Sequence, residues 1–299
     1  MAIDLNLVTL VQQIWSYEFM QHAIETSWII SVIAGVTGYF VVLRRSAFVA
    51  HAYSEIGFAG ASGAILLGLD PLIGLILGSV MGGIAIAALG RRISNRDTQI
   101  GIVLAFALGL GLLFISLYKA FSTEAISILF GEILGISWGE VQLTFVAGIG
   151  IVVTMGCLYR PLLFASLDED VAEAKGVPML FLGTAFMVVV AVSVSFAIQV
   201  TGVLLIFSLM VTPAATAQYI SMRPSRAILI SVGISLLATQ MGLFVGYFTP
   251  YPVSFFITGI VFILYLAVRL VHSYAHRRFR ETKESDSQAS PTGTPLAIA

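Results

Sequence analysis

Apolar runs of about twenty residues recur along the chain, each closed by a charge or by a break containing Pro or Gly. About twenty is the length a helix needs to cross a hydrocarbon core. The pattern predicts about nine spanning helices, at 24–43, 47–69, 72–90, 99–118, 141–159, 179–198, 200–220, 227–248 and 252–271. The tightest separators are "LDP" (69–71), "QVTG" (199–202) and "TPYP" (249–252), which read as turns because Pro and Gly end helices. The expected fold class is an all-α polytopic membrane protein.

Composition narrows this further. The chain has 299 residues, 58% hydrophobic and 10% charged, which leaves too little polar surface for a soluble domain of that length. The net charge of −1 conceals a strong asymmetry. Of 15 Lys and Arg residues, all but Lys119 fall on one side if the spans alternate: Arg44, Arg45, Arg91, Arg92, Arg96, Arg160, Lys175, Arg223, Arg226, Arg269, Arg277, Arg278, Arg280 and Lys283. That bias puts the N-terminus outside and the C-terminus in the cytoplasm. The first basic residue is Arg44, so no processed leader is expected. Cys157, the single cysteine, forms no internal disulfide and reads as a small buried hydrophobe.

Residues 24–272 therefore form the expected transmembrane domain. Residues 1–23, with Trp15 and Tyr17, read as an interfacial segment or a frayed end. Residues 119–140 read as an outer surface helix or one that dips partly into the membrane. Residues 273–299, polar and rich in Ser, read as a largely disordered cytoplasmic tail.

Two segments carry candidate chemistry. In "RRSAFVAHAYSEIGFAGA" (44–61), His51 and Glu55 stand four residues apart, on one face of a helix with Cβ atoms about 6 Å apart. Ionisable groups in a span cost about 2.5–3.5 kcal/mol each on insertion scales and need a partner or a function. The pair could satisfy itself as an ion pair near the cytoplasmic interface, or line a path for a metal ion. In "RPLLFASLDEDVAEAKGVPML" (160–180), Ser166 or Asp168 can cap a short helix whose first turn is acidic. Lys175 lies near its end, Gly176 supplies a stop and Pro178 prevents continuation.

"DEDVAEAKGVP" resembles the coupling helix of ABC importer permeases, and "LLIFSLMVTPAATAQYISMRPSRA" (204–227) is similar to a segment of the metal-ion class of those permeases. "RRSAFVAHAYSEIGFAGA" is similar to the start of that class's second span, in its arginines, Ser54 and the run Phe58–Ala61. The family pattern there is Gly-Asp-x-x-Ser-His; here His51 stands for the aspartate and Glu55 for the histidine, so the two donors are exchanged in order.

The resemblance implies a permease importing zinc, manganese or iron, with His51 and Glu55 on the metal path. Asp168, Asp170, Ala172, Glu173, Ala174, Lys175 and Gly176 would couple to an ATPase. Pro213, with Ala214 and Ala215, would serve kinking and close packing. It further implies a homodimer in the lipid of a bacterial inner membrane, two ABC ATPase subunits that bind ATP, an extracytoplasmic metal-binding protein, and no nucleic acid. The transported divalent metal would be the only metal, with no resident cofactor. The chain has no G-x-x-x-x-G-K-[ST] loop, so ATP hydrolysis would belong to a separate subunit.

The rival reading is an ATP-independent secondary carrier of metal, or one coupled to protons through the same His–Glu pair. An intramembrane hydrolase is disfavoured by four histidines without a paired nucleophile. His22 and Glu25 at the outer end, and His272 and His276 near the C-terminus, are further candidates that read more simply as helix-end residues.

Overall fold

A computed structural model describes residues 15–89, 96–118, 131, 133 and 135–289. Its helices are α1 (Glu18–Leu43), α2 (Ala47–Leu66), α3 (Pro71–Leu89), α4 (Arg96–Leu117), α5 (Trp138–Leu167), α6 (Glu169–Ala174), α7 (Met179–Thr201), α8 (Val203–Ile220), α9 (Pro224–Tyr247) and α10 (Val253–Ala289). No strand occurs among the described residues. The chain is an all-helical polytopic membrane protein.

Six of the expected spans are long and apolar enough to cross a membrane by themselves, in α1, α4, α5, α7, α9 and α10. The other three are α3 and α8, whose apolar parts are the shorter stretches Pro71–Ile86 and Leu205–Ile220, and α2, which carries His51 and Glu55. Large side chains such as Ile84, Phe106, Val146, Phe181, Leu229 and Phe262 stand exposed around the outside of the bundle. Such an apolar surface suits contact with lipid tails.

α1 lies at the centre, packed against α5, α8 and α9. Its seam with α9 is polar and small: Gln240 Nε2 donates to Ser27 Oγ at 2.7 Å, and Ser31 Oγ lies 3.0 Å from Thr239 Oγ1. Small residues permit helices in lipid to approach closely, and hydroxyl pairs join them across the seam. The tightest approach in α1 is to α8, where a Cβ on Gly38 would collide with the Met210 carbonyl. α2 lies against α3 and α4, and α7 bridges this group to α5 and α1.

A clasp at the end expected to lie outside ties three of these helices together. Ser137 caps α5 and forms a reciprocal capping box with Glu140. The same carboxylate accepts from Gln199 Nε2 of α7 at 3.1 Å. His22 of α1 contacts the Ile136 carbonyl through Nδ1 at 3.1 Å and packs its ring 5.5 Å from that of Trp138. Gly131, with φ of +77°, rests directly on the Thr201–Gly202 backbone at the α7–α8 break.

Three boundaries differ from the sequence pattern. α5 continues through Arg160 and Pro161 to Leu167, where the pattern stopped at 159. Proline removes the hydrogen bond to the carbonyl four residues back and crowds that carbonyl, but the buried Leu162 and Ala165 hold the last turns in place. α1 starts at Glu18, earlier than 24, with Tyr17 stacked near Tyr247 of α9. α10 continues to Ala289, so helix replaces the disordered tail expected over 273–289; the charged stretch from Arg277 to Lys283 contains good helix formers and no Gly or Pro. Residues 290–299 and 1–14, and residues 119–130 of the outer helix expected over 119–140, lie outside the described residues, while 138–140 form the first turn of α5.

Candidate functional site

The turn between α1 and α2 positions the candidate pair. Arg45 adopts a φ of +53°, and Ser46 N–H donates back to the Val41 carbonyl at 2.8 Å, so the chain reverses within three residues. α2 then begins at Ala47, which puts His51 about 6 Å and Glu55 about 12 Å along the helix at 1.5 Å per residue. In the expected orientation both lie in the cytoplasmic half, the carboxylate deeper than the imidazole.

His51 is half-buried and Glu55 is 6% exposed. The His51 ring stands 5.3 Å from that of Phe207 on α8, at 63°, and 6.5 Å from that of Phe48 one turn earlier on α2. Among the described residues neither His51 Nδ1 nor Glu55 Oε2 has a hydrogen-bond partner, and both atoms are buried. No hydrogen bond or ion pair joins the two side chains, so they do not form the ion pair that their spacing allowed. They share a helix face without satisfying one another.

The backbone around them is firmly held. A Cβ on Gly60 would meet the Gly74 carbonyl of α3, so the two backbones touch, and Ser79 Oγ of α3 donates to the Tyr53 carbonyl at 3.2 Å. Among the described residues no group of three or more His, Cys, Asp or Glu side chains could hold a metal ion. One chain thus offers a nitrogen–oxygen pair rather than a closed cage.

The segment expected to couple to an ATPase forms α6. Asp168 Oδ1 accepts from the Val171 N–H at 3.0 Å and caps the helix, with Glu169 and Asp170 in its first turn. Ser166 does not cap it; its hydroxyl donates to the Leu162 carbonyl within α5. Asp168, Asp170, Glu173, Ala174, Lys175 and Gly176 are exposed, and Gly176 takes the left-handed φ of +83° that ends the helix. Ala172 is the exception. It is fully buried, facing its own chain, and anchors the helix there.

Pro213 lies inside α8, where it leaves the Leu209 carbonyl without its usual N–H donor. Ala214 is fully buried and Ala215 partly so. Among the weaker candidates, His22 belongs to the clasp, Glu25 is half-buried on α1, and His272 packs its ring 5.5 Å from that of Tyr219. The side chain of His276 lies outside the described residues. Cys157 is exposed on α5, not buried as expected, because α5 turns that face away from the bundle.

Phe207 and the link from Glu140 to Gln199 were missed in the sequence. Phe207 sits in a Leu-rich run whose pattern does not say which residue faces α2. For Glu140, the Ser137–Glu140 spacing was a readable capping signal, whereas its reach to α7 was not.

The ABC 3 transport family matches residues 16–272. The chain belongs to that family. Among its similar proteins, the manganese import system permease protein ScaB of Streptococcus gordonii is 32% identical over 238 residues, covering 79% of this chain and 85% of the relative. The manganese transport system membrane protein MntC of Listeria monocytogenes is 28% identical over 239 residues, covering 79% and 85%. The solved structure of PsaBC from Streptococcus pneumoniae in complex with Fab contains a chain 29% identical to this one, at a TM-score of 0.80, covering 88% of this chain and 95% of that one. An inward-facing transporter described as of the metal-chelate type, at 17% identity and a TM-score of 0.67, shares the fold.

Proposed function

We propose that this member of the ABC 3 transport family is the membrane-spanning, non-catalytic subunit of an ATP-driven importer for a divalent transition metal, manganese first. The metal would be cargo, met in transit by His51 and Glu55. The observation that carries this reading is the pair of buried donor atoms, His51 Nδ1 and Glu55 Oε2, which have no hydrogen-bond partner among the described residues. Buried polar atoms are normally paired, and each exception calls for an explanation such as a bound water or ion; here an imidazole and a carboxylate stand unpaired on one helix face, which supports a passing cation. Imidazole and carboxylate together suit manganese, ferrous iron or zinc, and affinity order alone does not choose among them. The manganese importers among the relatives favour manganese.

A homodimer would bring two nitrogens and two oxygens to one path. An ATPase subunit would grip α6 from below through Asp170, Glu173, Ala174, Lys175 and Gly176, while Asp168 keeps the helix capped and Ala172 keeps it seated. ATP would be bound by that partner, and an extracytoplasmic metal-binding protein would deliver the ion from outside. The bacterial cytoplasmic membrane is the setting that fits. Motion of α6 would be passed to the helices on either side, α5 and α7, as a rigid-body displacement.

The test is manganese uptake by cells carrying the complete transporter, with the chain in the membrane quantified alongside. His51→Ala is expected to cut uptake at least tenfold while the assembled complex persists. Equal losses of uptake and assembled complex would assign His51 a structural role and overturn the reading.

A further inference from the structure

A histidine that binds metal ordinarily donates its second ring nitrogen to a carboxylate or carbonyl, which fixes the ring and raises its basicity. Among the described residues His51 has no such partner, because neither of its ring nitrogens makes a hydrogen bond. What touches the ring instead is aromatic. Phe48 lies on the same helix and moves with it, but Phe207 reaches across from α8 to meet the imidazole edge-to-face at 5.3 Å.

The placement of Phe207 does not depend on His51. Three residues further along α8, the Met210 carbonyl is in direct contact with Gly38 of α1, and five residues before it Gly202, with φ of +80°, fixes where α8 begins. α8 is therefore set by the scaffold on both sides of Phe207. The ring remains 36% exposed, so it is not part of the buried core.

We infer that Phe207 is the positioning residue for the cargo metal at His51, orienting the imidazole by ring contact where a resident metal site would use a hydrogen bond. This rests on the reading of His51 as a ligand in transit. The two devices differ in their chemical consequence. A carboxylate behind the ring would accept its proton and strengthen the ligand, whereas an aromatic contact holds its direction without a hydrogen bond. A path needs the second property, because an ion held tightly is not passed on. Because the contact joins α2 to α8, a displacement between those helices also changes how well the ring is aimed.

The test measures manganese uptake against manganese concentration in proteoliposomes holding the complete transporter and ATP. Phe207→Leu keeps the bulk without the ring, and Phe207→Tyr keeps the ring. Phe207→Leu is expected to raise the half-saturating manganese concentration about 3- to 10-fold, the size of one aromatic pair contact, with a much smaller change in maximal rate. Phe207→Tyr is expected to return it to the original value. Wild-type behaviour of Phe207→Leu, or a fall in maximal rate and assembled protein with half-saturation unchanged, would overturn the positioning role. The His51→Ala control separates the two ideas. If it transports normally, the ligand reading fails first; if it is inactive while Phe207→Leu is normal, only the role of Phe207 fails.

Discussion

Replacing Glu55 by methionine sets stability against transport. The side chains are similar in length, and the carboxylate is buried with Oε2 unpartnered. An unsatisfied buried polar atom costs about 1–3 kcal/mol, and an ionisable group within a span about 2.5–3.5 kcal/mol on insertion scales. Removing it without leaving a void should therefore make the metal-free protein more stable by about 1–3 kcal/mol, seen as a melting point several degrees higher in detergent. A structural ion pair predicts the opposite sign, because breaking a buried pair costs about 3–5 kcal/mol.

Manganese supplies a second readout. A ligand at 100 times its dissociation constant stabilises by about 2.7 kcal/mol, so the unmutated protein should melt higher on adding manganese and Glu55→Met should not respond. Uptake by the variant should be lost. A variant that melts lower than the parent, responds to manganese and still transports would refute the assignment of this carboxylate to the metal path.

Other outcomes follow from the same geometry. Asp168→Ala removes the cap of α6 at a local cost of about 1 kcal/mol, and should weaken stimulation of the ATPase by transport while leaving membrane insertion intact. Gly176→Arg should do so more strongly, since it places a Cβ at a left-handed φ as well as a bulky charge on the exposed end of α6; ATPase and uptake assays on the reconstituted complex check both. Gly38→Ala forces a methyl group into the Met210 carbonyl, an overpacking worth about 1–3 kcal/mol, and should lower the melting point. Gly233→Ala, with nothing within 4 Å of the new Cβ, should raise it slightly through helix propensity.

The order of the helices was legible because apolar length alone dictates where a chain can cross a bilayer. The short helix after α5 was legible too, since Asp168, Lys175, Gly176 and Pro178 each act through local backbone chemistry. The end of α5 was not. Arg160 and Pro161 look like a terminus in one dimension, yet packing of Leu162 and Ala165 carries the helix past them. The spacing of His51 and Glu55 put them on one face, but i, i+4 geometry fits a mutual bond and two independent donors equally well. Only the fold separates those cases. Phe207 was invisible for the same reason, because its significance is a contact between helices about 150 residues apart in sequence. The burial of Ala172 likewise depends on where α6 lies against its own chain.

α5 is 30 residues long, about 45 Å at 1.5 Å per residue, against a hydrocarbon core of about 30 Å. One of its ends is fastened by Ser137, Glu140 and Gln199; the other leads directly into α6. If, as proposed, an ATPase subunit pushes on α6, the push enters at one end of this rod, is carried into the bundle through buried Leu162 and Ala165, and meets a pivot at the other end. Loosening the pivot, for instance by Gln199→Ala, would let the same push dissipate as a slide of the whole rod.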